Sequence, residues 1–324
     1  MEDKTNRRGF LRRMALAGGV IATSQLPAWA DEKVAELRKE NRMRDLSFAY
    51  GVVNIGLETP FSVLHISDTH LSEAYSHESD KKQKLKANRM DTFGYGQEQA
   101  LALSLSWAKN NADYLVHTGD LIDWQSEANF DLVRKYFGGE GIIGCVGNHE
   151  LVPDMWLSDP KEEHTEAFKD LTRSKVQAAY PFDVRFQSTV VRGVNFITLD
   201  DIYGYVTQEQ VDRFKDEVKK GLPIVLCMHV PFMTDNIWRA TIKWWQVKGK
   251  LKSGAVPKAT GDFEVQQTDP VTRDFIRYLK KQKLLRAILT GHEHITVQDR
   301  FSPTCTEYVV AANYLYHVEE ILFV

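Results

Sequence analysis

Five short polar stretches in this chain carry residues able to do chemistry. They are Asp68-Thr69-His70, Gly119-Asp120-Leu121-Ile122-Asp123, Gly147-Asn148-His149-Glu150, the single His229, and Gly291-His292-Glu293-His294. Carboxylate, imidazole and amide oxygen are hard-to-borderline ligands that suit manganese, iron or zinc. No thiol belongs to the set, which argues against a structural zinc clip. Asp68, His70, Asp120, Asn148, His229, His292 and His294 make seven ligands, more than one ion takes. Two divalent ions sharing one bridging carboxylate would use them all, and ions paired about 3.5–4 Å apart are a general device for phosphoryl transfer. Taken singly, each stretch says little. Gly-Asp and Gly-Asn close strands as ordinary turns, and a lone histidine after a strand is more often packed or at the surface.

Placement carries more than composition. The five stretches directly follow apolar runs at 61–67, 114–118, 142–146, 224–228 and 286–289. Several of these runs are near-continuous, as in strands buried on both faces. Further strands are expected at 48–53, 194–199 and 308–311, and helices at 97–110, 127–136, 163–178, 208–220 and 271–281. That alternation argues the α/β class. In open α/β sheets ligands collect at the carboxyl ends of the strands, so groups far apart in sequence can converge. The β-rich tail after residue 305 reads as a closing antiparallel segment.

Two long polar excursions interrupt the rhythm, at 76–96 and 231–264. Segments of this length inside a compact domain are usually functional or mobile. The second follows His229 directly and is expected to overhang the site as a lid or substrate loop. Within it Arg239, Lys243, Lys248, Lys250 and Lys252, with Trp238, Trp244 and Trp245, are candidates to clamp a phosphate and stack a base or sugar, Arg239, Trp238 and Lys243 foremost; the alternative is a solvated lid whose tryptophans serve packing. The run 81–86 in the first reads as a solvated, lysine-rich face.

The first thirty residues differ from the rest. Arg7-Arg8-Gly9-Phe10-Leu11 precedes a short Gly/Ala-rich apolar stretch and a small-x-small site ending at Ala30. This is the pattern of an export signal, and paired arginines before Phe-Leu resemble the twin-arginine type. Thr23, Ser24, Gln25 and Pro27 interrupt the apolar stretch, which is too short to span a membrane. The expected organisation is a signal peptide at 1–30, an N-terminal helix or arm at 31–47, and one domain at 48–324. The mature protein is expected to be periplasmic or secreted, delivered by the twin-arginine export machinery, with no membrane span. A net charge of -3 and a pI near 6.4 give no reason to expect a stable nucleic-acid partner. Cys145 and Cys227 sit in apolar runs and read as small core residues; Cys305 leaves one disulfide open as a possibility.

As an ordered set the five stretches resemble the five blocks of the calcineurin-like metallophosphoesterase family, from Asp68 to His294. The resemblance implies an α/β fold built as a four-layer β-sandwich, two mixed sheets flanked by helices. It implies one ion on Asp68, His70 and His294, a second on Asn148, His229 and His292, and Asp120 bridging them. His149 would stand outside the ligand set and face the phosphate as general acid or charge stabiliser. Asp123 would orient and charge it, and Glu150 would support the loop. Purple acid phosphatases, a related group, carry a tyrosine where Asp123 stands, so no purple colour is expected. The implied activity is hydrolysis of small phosphate esters by attack of a metal-bridged hydroxide, with His149 assisting. Diesters are the favoured substrates and monoesters the alternative. A non-catalytic exported binder of metal or phosphate is the alternative from a different class; retention of His149 and Asp123 argues against it, since binding alone needs neither.

Overall fold

The computed structural model describes residues 29–39, 44–138, 141–153, 164–248 and 269–324 of the chain. The expected export signal, up to residue 28, and the 249–264 part of the expected lid lie outside the described residues. In chain order the strands are β1 (Ser47–Val53), β2 (Phe61–Ile66), β3 (Tyr114–Thr118), β4 (Ile142–Cys145), β5 (Phe186–Val191), β6 (Val194–Leu199), β7 (Ile224–Cys227), β8 (Leu285–Thr290), β9 (Val297–Ser302), β10 (Cys305–Val309) and β11 (His317–Phe323). The helices are α1 (Trp29–Lys39), α2 (Asp80–Thr92), α3 (Gln97–Asn111), α4 (Glu127–Phe137), α5 (Asn148–Leu151), α6 (Glu166–Gln177), α7 (Gln208–Val218), α8 (Asp235–Val247) and α9 (Pro270–Leu279).

The strands form two mixed sheets, ordered β1-β11-β2-β3-β4 and β5-β6-β7-β8-β10-β9. Within the first, β2, β3 and β4 run parallel; within the second, β6, β7, β8 and β10 do. Successive residues of a strand face opposite sides of its sheet, and β2 shows the consequence. Phe61 and Val63 point between the sheets, where they meet Val116, Phe196, Val225 and Leu289. Leu64 and Ile66 point outward onto a second core with Leu101, Leu105 and Val133 of α3 and α4. The far sheet repeats the scheme, burying Ile197, Leu226 and Ile288 against Phe214 of α7 and Phe275 of α9. The result is helix, sheet, sheet, helix: the expected four layers. Each fully buried Val, Leu, Ile or Phe contributes about 1.5–3 kcal/mol. Such cores, rather than the polar loops, set where the strand ends lie.

The differences from the expected elements have physical reasons. β5 and β9 were not expected; both are sheet edges, half-solvated, with burial too patchy to show an apolar run. α2 lies in the first polar excursion and buries none of its residues, so it has no apolar stripe to read. α8 lies in the second and packs Ile237 against Ile295 and Val309. The tail strand β11 is antiparallel only to β2; it is parallel to β1 and sits inside the first sheet rather than closing its edge. α1 begins at Trp29, just before the expected mature start, and docks Ala30 and Val34 onto the body. All three cysteines are buried and free. No helix among the described residues is long and apolar enough to cross a membrane.

A candidate binuclear metal centre

The loops after β2, β3, β4, β7 and β8 meet at one end of the sandwich. Asp68, His70, Asp120, His292 and His294 all adopt left-handed backbone, with φ of 54°, 52°, 54°, 65° and 55°. For residues with a side chain this costs on the order of 1–3 kcal/mol each, and it persists only where the surroundings over-determine it. Here the loops brace one another. Asp68 N–H donates to Gly119 O at 3.0 Å, and His70 N–H to Asp120 O at 2.9 Å. Gly291 N–H donates to His229 O at 3.0 Å. His292 N–H donates to Asp68 Oδ2 at 2.9 Å, joining the two sheets across the site.

Gly147 begins the Gly-Asn pair that reads as an ordinary turn. Its φ of -108° and ψ of -174° are extended and open to any residue. What requires glycine is proximity: a Cβ there would collide with Asp120 Oδ1 and Asp120 N. Gly291 is confined in the same way by Ser67 and Asp68. Glu150 then ties the third loop to the second. Its Oε2 accepts from Gly147 N at 2.7 Å and Asp120 N at 3.1 Å, and its Oε1 from Leu121 N at 2.7 Å and Ile122 N at 3.1 Å. Burial, with the charge of Asp120, raises its pKa to about 7.

The side chains form clusters with ligand atoms within 4.8 Å of one another: Asp68, His70 and His294 in one, Asp120, His229 and His292 in another. His70 Nε2 and His294 Nε2 are 3.2 Å apart, and His292 Nδ1 and His229 Nε2 are 3.1 Å apart. Asp120 Oδ2 lies between the clusters, 3.3 Å from His229 Nε2 and 3.8 Å from His70 Nε2. Outer partners assign the tautomers. His229 Nδ1–H donates to Thr118 O at 2.7 Å, and His70 Nδ1–H to Asp123 Oδ1 at 3.1 Å. Each therefore turns its Nε2 inward, the arrangement that orients imidazoles toward a metal. Asn148 is buried just after Gly147, and its Oδ1 has no hydrogen-bond partner, while Asp68 Oδ1 faces His294 Nε2 at 3.3 Å. A buried oxygen is rarely left unpaired, and a cation would satisfy it. The residues present fit two divalent ions in donor type, direction and number.

His149 shares a third cluster with His70 and Asp120, but its bonding differs. Its Nδ1–H donates to Asp123 O at 2.7 Å, with Asp123 Oδ1 at 3.1 Å, and its Nε2 stands 3.9 Å from Asp120 Oδ2. Burial works against its charge, yet the carboxylates of Asp120 and Asp123 prevail and raise its pKa to about 10. Asp123 is buried as well, which disfavours its charge, but His149, His70 and Arg89 hold it well below the usual carboxylate range.

Arg89 was missed by sequence reasoning, as were Phe93 and Tyr314. Phe93 stacks on His70 with ring centroids 5.0 Å apart, and Tyr314 O–H stands 3.4 Å from His294 Nδ1. No local signal marks them: each is one ordinary residue in a polar or β-rich stretch. The substrate candidates are placed differently from the expectation. Arg239 and Lys243 are exposed on α8, opposite the face that buries Ile237 and Thr241, and among the described residues no hydrogen bond or ion pair joins them to the centre. Trp238 is half-buried on the same helix. Trp245, another of the candidates, reaches the site loop, where its Nε1–H donates to Glu293 Oε2 at 3.2 Å.

A family model described as calcineurin-like phosphoesterase matches residues 61–296. No curated protein matches the chain significantly. Among solved structures, a dimetal phosphatase from Danio rerio is 12% identical with a TM-score of 0.42, over 78% of this chain and 88% of that one. A purple acid phosphatase from yellow lupin is 13% identical with a TM-score of 0.44, over 78% of this chain and 44% of that one. A candidate 5′-nucleotidase from Staphylococcus aureus is 13% identical with a TM-score of 0.42, over 79% of this chain; the chain spans 49% of that protein's length.

Proposed function

The chain belongs to the calcineurin-like phosphoesterase family, a family of metal-dependent phosphoric ester hydrolases working with two divalent ions, and from that premise we propose a phosphodiesterase acting on small esters. The observation that carries this reading is the pairing of two ligand clusters around Asp120 with a histidine beside them that belongs to neither. Binding a metal uses the clusters. Only bond cleavage uses a cationic imidazole held next to them.

In this reading Asp68, His70 and His294 hold the first ion, Asn148, His229 and His292 the second, and Asp120 both. When bound, the ions supply Lewis-acid neutralisation of the phosphoryl oxygens and a water of lowered pKa as nucleophile. His149, with Nδ1–H spent on Asp123, keeps a proton on Nε2 and donates it to a phosphate oxygen as charge develops there. Asp123 orients that ring. Glu150 holds the second and third loops in register through its four backbone donors.

The preference for diesters follows from charge. A diester is a monoanion, whereas a monoester at neutral pH is close to a dianion and gains from a further cation. Among the described residues Arg89 is the lysine or arginine in hydrogen-bond contact with the site, and its guanidinium is engaged with Asp123. Bis-p-nitrophenyl phosphate is expected to exceed p-nitrophenyl phosphate in kcat/KM by about tenfold or more, a discrimination of ~1.4 kcal/mol. Chelation should abolish both activities and Mn2+ restore them. The reverse preference would make the protein a phosphomonoesterase. A full metal complement with no hydrolysis would make it a binder.

Export through the twin-arginine route is part of the same proposal, supported by Arg7-Arg8 ahead of Phe10-Leu11. That route carries folded proteins, so the centre could be loaded before export. Replacing both arginines with lysine should leave the full-length precursor inside the cell; a mature product still found outside would refute the route.

A further inference from the structure

The segment 76–96, which the phosphoesterase reading leaves without a task, contains the arginine that pairs with Asp123. α2 buries none of its residues and is held by ion pairs: Lys82 to Glu78 at 2.7 Å, Lys86 to Glu73 at 2.5 Å, and Arg89 to Asp123. The last of these differs in kind. Arg89 Nε–H donates to Asp123 Oδ2 at 2.5 Å and Nη2–H to Oδ1 at 2.9 Å, a forked pair onto a fully buried carboxylate. Asp123 Oδ1 also lies 3.1 Å from Nδ1 of His70 and 3.1 Å from Nδ1 of His149. One oxygen thus faces a ligand of the first ion and the proposed acid at once. It can face both only while the carboxylate cannot rotate, and a planar guanidinium bound through two parallel bonds fixes that plane. The guanidinium is itself seated over the Phe93 ring at 4.8 Å, and Phe93 stacks on His70.

We infer that Arg89 is a positioning residue that locks Asp123 so that His70 and His149 are oriented together. The inference rests on the reading of the centre given above. Removing the guanidinium leaves Oδ2 buried without its ion-pair partner and frees the carboxylate to turn. Both imidazoles then lose their fixed direction. Residues in this outer position are typically worth about 10–100-fold in metal affinity or activity.

The test compares Arg89→Met, Arg89→Lys and the control Lys86→Met, which loosens α2 but leaves the Asp123 pair intact. Mn2+ binding is followed calorimetrically, and kcat and KM are measured with bis-p-nitrophenyl phosphate. Arg89→Met is expected to weaken one of the two Mn2+ sites and lower kcat, each by about 10–100-fold, with KM nearly unchanged. Arg89→Lys, which keeps the charge but not the fork, should recover part of both and stands in if Arg89→Met does not fold. Lys86→Met should match the wild type. A raised KM with kcat retained would make Arg89 a substrate contact and overturn the inference. So would equal losses in Lys86→Met, which would reduce Arg89 to an anchor for the helix, or an unchanged Arg89→Met. If the wild type binds two ions and hydrolyses nothing, the hydrolase reading fails, while the Mn2+ titration still decides the role of Arg89.

Discussion

Replacing Asp120 with alanine is expected to empty both ion positions and to lower turnover by at least about 10,000-fold. The size follows from what the ions supply, since enzymatic accelerations of about a million-fold or more depend here on metal activation of water and phosphate. The reason for losing both at once is geometric. Asp120 Oδ2 stands between the clusters, near His229 on one side and His70 on the other. Its Oδ1 accepts from His149 N at 3.1 Å, so the same side chain also holds the third loop. No other described carboxylate spans the two clusters. Asp120→Asn separates charge from shape: it keeps the size and should still lose most of the metal. Elemental analysis of the purified variants, with circular dichroism to confirm folding, gives the answer. Retention of one full equivalent in Asp120→Ala would mean the ions do not share this residue.

The second large effect is expected at His149. His149→Ala should retain both ions and lose about 100- to 10,000-fold in kcat, the range for a positioned general acid. Metal content and turnover must therefore part company in this variant and fall together in Asp120→Ala. An empty site in His149→Ala would show that the ring is a ligand. The pH profile adds a sign. With the charges of this chain alone, burial works against the cationic ring of His149 but Asp120 and Asp123 outweigh it and raise its pKa, so the ring loses its proton only as pH climbs through that raised value; with Asp120 engaged by the ions, Asp123 is the carboxylate left to keep the ring protonated. Asp123→Asn removes one of the two charges that raise it. The alkaline fall in kcat, measured at saturating Mn2+ because His70 is also disturbed, should move to lower pH. An alkaline limb that stays in place would mean Asp123 does not charge the ring.

Much of this is legible in the sequence. Buried parallel strands must be apolar on both faces, so β2, β3, β4, β7 and β8 show as runs, and the polar groups after them stand out. β5, β9 and α2 were not legible because their burial is slight, and apolar periodicity records burial. α8 has a buried face, but tryptophan and lysine are mixed through it, and the outward direction of Arg239 and Lys243 depends on the helix phase. Glycine at 147 was visible but its reason was not, because the atoms that forbid a Cβ belong to Asp120.

The sequence by itself determined the ligand types, their order and their place at strand ends, because those depend on residues adjacent in the chain. Only the tertiary structure decided which nitrogen of each imidazole faces inward. His229 is set by Thr118 and His70 by Asp123, partners 111 and 53 positions away. It also decided that an arginine from a solvated helix governs Asp123. A side chain's type is local, whereas its direction, tautomer and charge belong to whatever the fold packs against it.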